Sequence, residues 1–125
     1  MILLDTSVLI DDMVGLDSNQ EYAASILSRA ELELGVAVAH REQLDKRRRR
    51  LAQLDNIFDW LPFTEATTRA YGILAQTIHA SAPAQARRID TYIAAHALEL
   101  GVPFLTANPK DFNRISHLVT ILSWT

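Results

Sequence analysis

Four acidic residues stand where apolar segments begin, end or turn inward. Asp5 closes the short run Ile2-Leu3-Leu4, at the place where a buried strand would end. In open α/β sheets the carboxyl ends of strands open onto the ligand crevice. A cap on the next helix explains an aspartate there equally well. Asp90 opens the stripe Asp90, Ile93, Ala94, Ala97, which turns its carboxylate toward the core side of a helix. A charge in that place is costly without a partner. A metal ion, an arginine or the positive end of the helix would each offset the cost. Glu31 lies in the apolar-rich segment Ile26 to Val38, where Arg29 and Glu33 already supply a solvent side, and a surface glutamate is the plain alternative. Asp111 follows Thr106-Ala107-Asn108-Pro109-Lys110, just past another apolar run, and a first-turn helix acid is its alternative. None of the four decides anything alone. Together they place acids after the first strand, on the second helix, at the head of the last long helix and beyond the penultimate strand. Several can therefore converge at one sheet edge. All-oxygen clusters of this kind suit hard cations such as Mg2+ or Mn2+, which keep several waters.

Other chemistries find less support. The chain has no cysteine, which excludes disulfides, thiolate zinc sites and cysteine nucleophiles and agrees with a reducing, cytoplasmic setting. His40, His79, His96 and His117 are scattered without ligand spacing and read as surface or half-buried structural residues. Trp60 and Trp124 read as packing residues. The run Lys46-Arg47-Arg48-Arg49-Arg50 has three readings: a solvated helix face paired locally with Glu42, Asp45 and Asp55, a phosphate-contacting patch, or a surface for an acidic partner segment.

The elements that must carry these groups alternate between strand and helix. Ile2-Leu3-Leu4 suits a strand buried on both faces, and Thr6 and Ser7 can cap a helix through about Asp12. Residues 13–20 read as a loop. Tyr22-Ala23-Ala24 is a second strand, and Ser25 caps a helix from Ile26 to about Ala39 with Ile26, Ala30, Leu34 and Val38 on one apolar stripe. A longer helix spans Arg41 to Ile57, with Leu44, Leu51, Leu54 and Phe58 on its apolar side. Asp59 to Phe63 is a short strand closed by Pro62, and Thr64 starts a helix that ends near His79, before Pro83. Arg88 to Leu100 is the clearest helix, with Gly101 as its C-cap. Val102 to Thr106 is a buried strand, Asn108-Pro109 opens a one-turn helix, and Leu118 to Leu122 is the last strand. This alternation predicts a three-layer α/β fold, a mainly parallel central sheet flanked by helices, in a single domain over residues 1–125.

Bulk properties agree. The 125 residues fit one domain, and 49% hydrophobic with 22% charged content argues against long disorder. The formal net charge of −3 counts against a passive nucleic-acid binder, but not against an enzyme whose acids hold a metal. No segment approaches the roughly eighteen apolar residues that cross a bilayer, and the N-terminus lacks the pattern of a signal peptide.

The order of blocks is specific where each block is not. Met-Ile-Leu-Leu-Asp-Thr-Ser at 1–7, Ala-Glu-Leu-Glu-Leu-Gly at 30–35, Asp-Thr-Tyr-Ile-Ala-Ala-His-Ala at 90–97 and Thr-Ala-Asn-Pro-Lys-Asp-Phe at 106–112 together resemble the PIN-domain family, and within it the VapC toxins of toxin–antitoxin pairs. The resemblance spans essentially the whole chain. It implies a PIN-like fold and a ribonuclease dependent on Mg2+ or Mn2+. Asp5, Glu31, Asp90 and Asp111 become the catalytic and metal-binding acids, with Thr6, Ser7, Thr106 and Asn108 as supporting polar groups. Asp5 and Asp90 would be the main ligands, while Glu31 and Asp111 complete the shell or bind a second ion. Thr106 and Asn108 would orient water or phosphate. The implied partners are RNA, a VapB-type antitoxin and a second copy of the chain. Ser7 stands where the family often has Asn, and the loop over 13–20 is short for the family, which would reshape the antitoxin groove. An Asp-x-Asp phosphatase would need an acid at position 7, where Ser7 stands. A receiver domain would need its acidic pair after the first strand, which is also missing. The remaining alternatives are a non-catalytic PIN scaffold or RNA-binding module, and a housekeeping RNA-processing nuclease without an antitoxin.

Overall fold

The computed structural model describes residues 1–10 and 15–124. The expected extension of the first helix to Asp12, and the start of the loop at Met13, lie outside those residues. Four strands, β1 (Ile2–Leu4), β2 (Tyr22–Ala24), β3 (Phe104–Thr106) and β4 (Ile121–Ser123), form one sheet in the order β2-β1-β3-β4. Every pairing is parallel. The fold class is therefore the expected α/β arrangement, with the described sheet wholly parallel.

The register explains the layers. Leu3 lies beside Ala23 and Phe104, and Leu4 beside Ala24 and Leu105. Successive strand side chains point to opposite faces. Leu3, Ala23 and Phe104 accordingly join one core with Leu74, Ile93 and Ile115, while Leu4, Ala24 and Leu105 join another with Val8, Leu9, Leu54 and Phe58. Helices α4 (Glu65–His79), α5 (Pro83–Ala86) and α6 (Ile89–Leu100) supply the first layer. Helices α1 (Thr6–Leu9) and α3 (Arg41–Ile57) supply the second. Helix α2 (Ile26–Ala37) packs on α3, with lesser contacts to α6 and α1.

Local chemistry sets the boundaries. Ser25 caps α2 by accepting from the Leu27 N–H, and Thr64 and Thr67 form a reciprocal capping pair at the head of α4. Gly101 ends α6 at φ 65°, a left-handed conformation that glycine adopts without steric cost.

Six expectations need correction. Asp5, rather than Thr6 or Ser7, caps α1. The segment 59–63 is not a strand: Leu61 makes one bridge to Ser25, and Pro62 has no N–H to extend it. The helix after Asn108 is a longer 3-10 segment, Pro109–Ile115, and β4 begins at Ile121, with Leu118 exposed before it. The α2 stripe faces outward, with Ile26 39%, Leu34 62% and Val38 65% exposed, because α2 turns Ser28 and the partly buried Leu27 inward instead. His96 is fully buried rather than half-buried: its Nε2 lies 2.8 Å from the Ser25 hydroxyl, and burial holds its pKa below the ordinary histidine value against the opposing charge of Glu99.

Candidate active site

The carboxyl ends of β1 and β3 lie side by side, and the chain beyond each carries the polar groups of the crevice. Asp5 N–H donates to the Leu105 carbonyl, which extends the β1–β3 pairing by one residue and fixes the Asp5 backbone. Asp5 is 6% exposed, and its side chain accepts three hydrogen bonds. Oδ1 takes the Thr6 N–H at 2.9 Å, while Oδ2 takes the Ser7 hydroxyl and the Thr106 hydroxyl at 2.8 Å each. The cap alternative for Asp5 is thus realised, and it engages Oδ1 alone.

A second layer of bonds holds the donors. The Ser7 hydroxyl receives the Ala107 N–H at 3.0 Å, and the Thr106 hydroxyl receives the Asn108 N–H at 3.1 Å. Strand β3 and the loop after it are thereby tied to the turn after β1. Among the described residues no buried side-chain nitrogen or oxygen lacks a hydrogen-bond partner.

Helix α2 contributes Glu31. The Thr6 hydroxyl donates to its Oε1 at 2.5 Å and lies 2.9 Å from the buried Ser28 hydroxyl. Burial raises the Glu31 pKa; the Thr6 hydrogen bond opposes this, and the charges of Asp5 and Asp90 add to it. Helix α6 contributes Asp90 from its first turn, with the side chain 21% exposed. Burial raises its pKa too; the charge of Arg88 opposes this and that of Asp5 adds to it. Asp5, Glu31 and Asp90 therefore act on one another electrostatically although they come from three distant segments.

Asp111 sits on the 3-10 segment, exposed, and shares with Asp90 a small cavity of about 90 Å³ that Arg88, Lys110 and Arg114 also line. On the other side, Thr6 and Glu31 open into a groove of about 790 Å³ between α1, α2 and α3, lined by Ile10, Leu32, Lys46, Arg47 and Arg49. The basic run thus borders the acidic crevice, and Asp55, one of the acids expected to pair with it, is engaged elsewhere. Asp55 is held bidentately by Arg29 at 2.9 and 3.0 Å and bonded by Trp60, while Arg47 donates to the Gly35 carbonyl and the Gln43 side chain.

Two residues at the crevice escaped the sequence reading. Ser28 lies three residues before Glu31, on the same helix face. Arg88 lies two before Asp90, where its Nη2 comes within 3.4 Å of Oδ2.

The donor set, carboxylates and hydroxyls on a partly dry floor, is of the chemistry a hard divalent cation takes. Among the described residues no three acids stand close enough as they lie to hold one ion. Mutual repulsion of like charges acts in that direction when no cation is bound.

Comparison with known proteins follows the same lines. A family model, that of the PIN domain, matches residues 2–118. Among solved structures, the VapBC-5 toxin–antitoxin complex of Mycobacterium tuberculosis contains a chain 27% identical to this one, with a TM-score of 0.78 over 98% of this chain and 97% of that one. VapBC-1 from nontypeable Haemophilus influenzae matches at 27% identity and a TM-score of 0.72, over 99% and 98% of the two chains. VapBC2 of Rickettsia felis, solved bound to a DNA fragment from its promoter, shares the fold at 23% identity, with a TM-score of 0.80 and full coverage of both chains. No curated protein sequence matches the chain.

Proposed function

From the premise that this chain belongs to the PIN-domain family, we propose that it is the toxin ribonuclease of a toxin–antitoxin pair, which hydrolyses RNA phosphodiester bonds with Mg2+ or Mn2+. Asp5 and Asp90 are the main ligands in this reading, with Glu31 and Asp111 completing the shell. The observation that carries it is the approach of Asp5, Glu31 and Asp90 to one sheet edge, where burial first, and then the charges of Asp5 and Asp90, raise the pKa of Glu31. Carboxylates gathered at that cost in a solvent-open crevice are what a cation site requires.

A divalent cation would supply activation of water and stabilisation of the negative charge that builds on the phosphate and leaving oxygens. The chain supplies the rest. Thr106 and Ser7 hold Asp5 in one orientation through their hydroxyls, and Thr6 does the same for Glu31. Asn108, at the lip of the crevice, orients phosphate or water. The basic helix α3 contacts RNA phosphates along the groove that ends at Glu31, and an antitoxin segment lying in that groove would compete with RNA for it. Among the described residues no helix is long and apolar enough to cross a membrane. Ile57 on α3 and Ile73 on α4, 58% and 51% exposed, offer apolar surface to a second copy.

RNA cleavage measured with Mg2+, with Mn2+ and with EDTA tests the reading. Cleavage should need the cation and fall by roughly a thousandfold in Asp5→Asn and in Asp90→Asn. Variants that cut like the wild type would sink the site assignment.

A further inference from the structure

The cavity at the head of α6 contains a charged group that the ribonuclease scheme leaves without work. Arg88 is the N-cap residue of α6, and its backbone is fixed on both sides. Its N–H donates to the Gln85 carbonyl at 3.2 Å, and its carbonyl accepts the Thr91 N–H at 3.1 Å. The Thr91 hydroxyl closes the same corner onto Gln85 at 3.0 Å, and Tyr71 anchors it through the Ala86 carbonyl at 2.9 Å.

The head of the side chain is held far less firmly. It is 58% exposed and meets Asp90 through a contact of 3.4 Å, long for a charge-assisted bond. A contact this long with one partner exposed adds little to stability. Its charge also reaches Glu31, a second of the proposed ligands. The cavity that it lines contains Asp90 and Asp111 as well. Of the two other cations that line it, Arg114 is committed to Ser81 and Gln85 at 3.0 and 2.9 Å, and Lys110 is a point charge without a planar fork.

We propose that Arg88 is a phosphate-binding residue of this site, held against Asp90 in the metal-free chain and released to the RNA phosphate when a divalent cation takes that carboxylate. The proposal rests on the ribonuclease reading. A cation and a guanidinium that share the Asp90 Oδ2 compete for it. Once displaced, the guanidinium stays at the crevice because the α5–α6 corner fixes its root. Its planar fork of N–H donors matches the oxygens of a phosphate, which an ammonium does not.

Arg88→Gln and Arg88→Lys test this in two binding measurements on the full chain. Titration of Mn2+ alone should show Arg88→Gln binding the ion roughly two- to fivefold more tightly than wild type, because the competing cation is gone. Anisotropy of a labelled oligouridine should show the opposite sign. Arg88→Gln should bind it roughly tenfold more weakly or worse in Ca2+ and nearly unchanged in EDTA, with Arg88→Lys in between. Weaker binding of both Mn2+ and RNA would mean that Arg88 merely positions Asp90, and would overturn the proposal. Unchanged binding of either, or no Mn2+ binding by the wild type, would overturn it too. A wild type that obeys both binding predictions yet cuts no RNA would refute the ribonuclease reading and leave Arg88 as an anion-binding residue.

Discussion

Asp5 and Asp90 approach the same crevice from opposite supports. At the strand ends, Asp5 is nearly sealed and accepts one N–H and two hydroxyls, each of which is itself anchored or backed by the backbone. At the head of α6, Asp90 is partly open to solvent and faces a guanidinium at 3.4 Å. The first carboxylate is positioned by neutral hydrogen bonds that do not depend on ionic conditions. The second is positioned by charge as well as by backbone N–H groups at the head of α6, and charge is what a cation, an RNA strand or a change in salt can rearrange. A site built this way has one fixed wall and one adjustable wall.

That contrast can be broken by unfolding measurements in EDTA. Asp5→Ala strips the acceptor from buried donors and removes a helix cap, so it should cost about 1–3 kcal/mol in a urea titration. Asp90→Ala removes a carboxylate whose burial is unfavourable and should change stability by less than about 1 kcal/mol. Equal losses would erase the distinction between the walls. Thr106→Val, which keeps the shape but removes the hydroxyl, should cost about 1–2 kcal/mol, because Asp5 loses a donor and the Asn108 N–H its acceptor. A thermal melt that does not move would show the fixed wall to be looser than its bonds suggest.

The smallest effect sharpens the comparison through pH. Glu31 and Asp90 have folded pKa values raised above their unfolded ones. Between those values the folded chain binds more protons than the unfolded chain. Metal-free stability therefore falls as pH rises from the ordinary carboxylate range through the raised values, and the penalty is absent below that range. Mn2+ should abolish the fall, because cation binding favours the ionised carboxylates. A melting temperature that instead rises across that window in EDTA would contradict the burial that raises both pKa values, with the repulsion among the acids as the lesser cause.

Much of the scaffold was legible because local signals decide it. The strand Tyr22–Ala24, the helix Arg41–Ile57 and the glycine stop at Gly101 lie where spacing and capping put them. The α2 stripe misled because periodicity says which residues share a face, not which face meets a neighbour. Leu34 and Val38 share a face that no described element covers. The segment at 59–63 misled because strand propensity cannot know that one bridge to Ser25 is all the pairing offered. At the site, the four acids were legible as an ordered set, but their separations were not. Sequence order could not tell that Asp5, Glu31 and Asp90 feel one another while Asp111 lies outward on a 3-10 segment. Nor could it reveal the Thr6–Ser28 contact, which depends on how α2 is set against the turn after β1.

The central position of β1 has a consequence for the order in which the molecule comes into being. β1 pairs early with β2, some twenty residues away, but its other edge waits for β3. The hydrogen bond from Thr106 to Asp5 joins residues 101 positions apart. No fragment that ends before Phe104 contains both sides of that bond. As the chain leaves the ribosome, the crevice therefore stays unfinished until nearly the whole domain has been made, and the fixed wall is among the last parts to close.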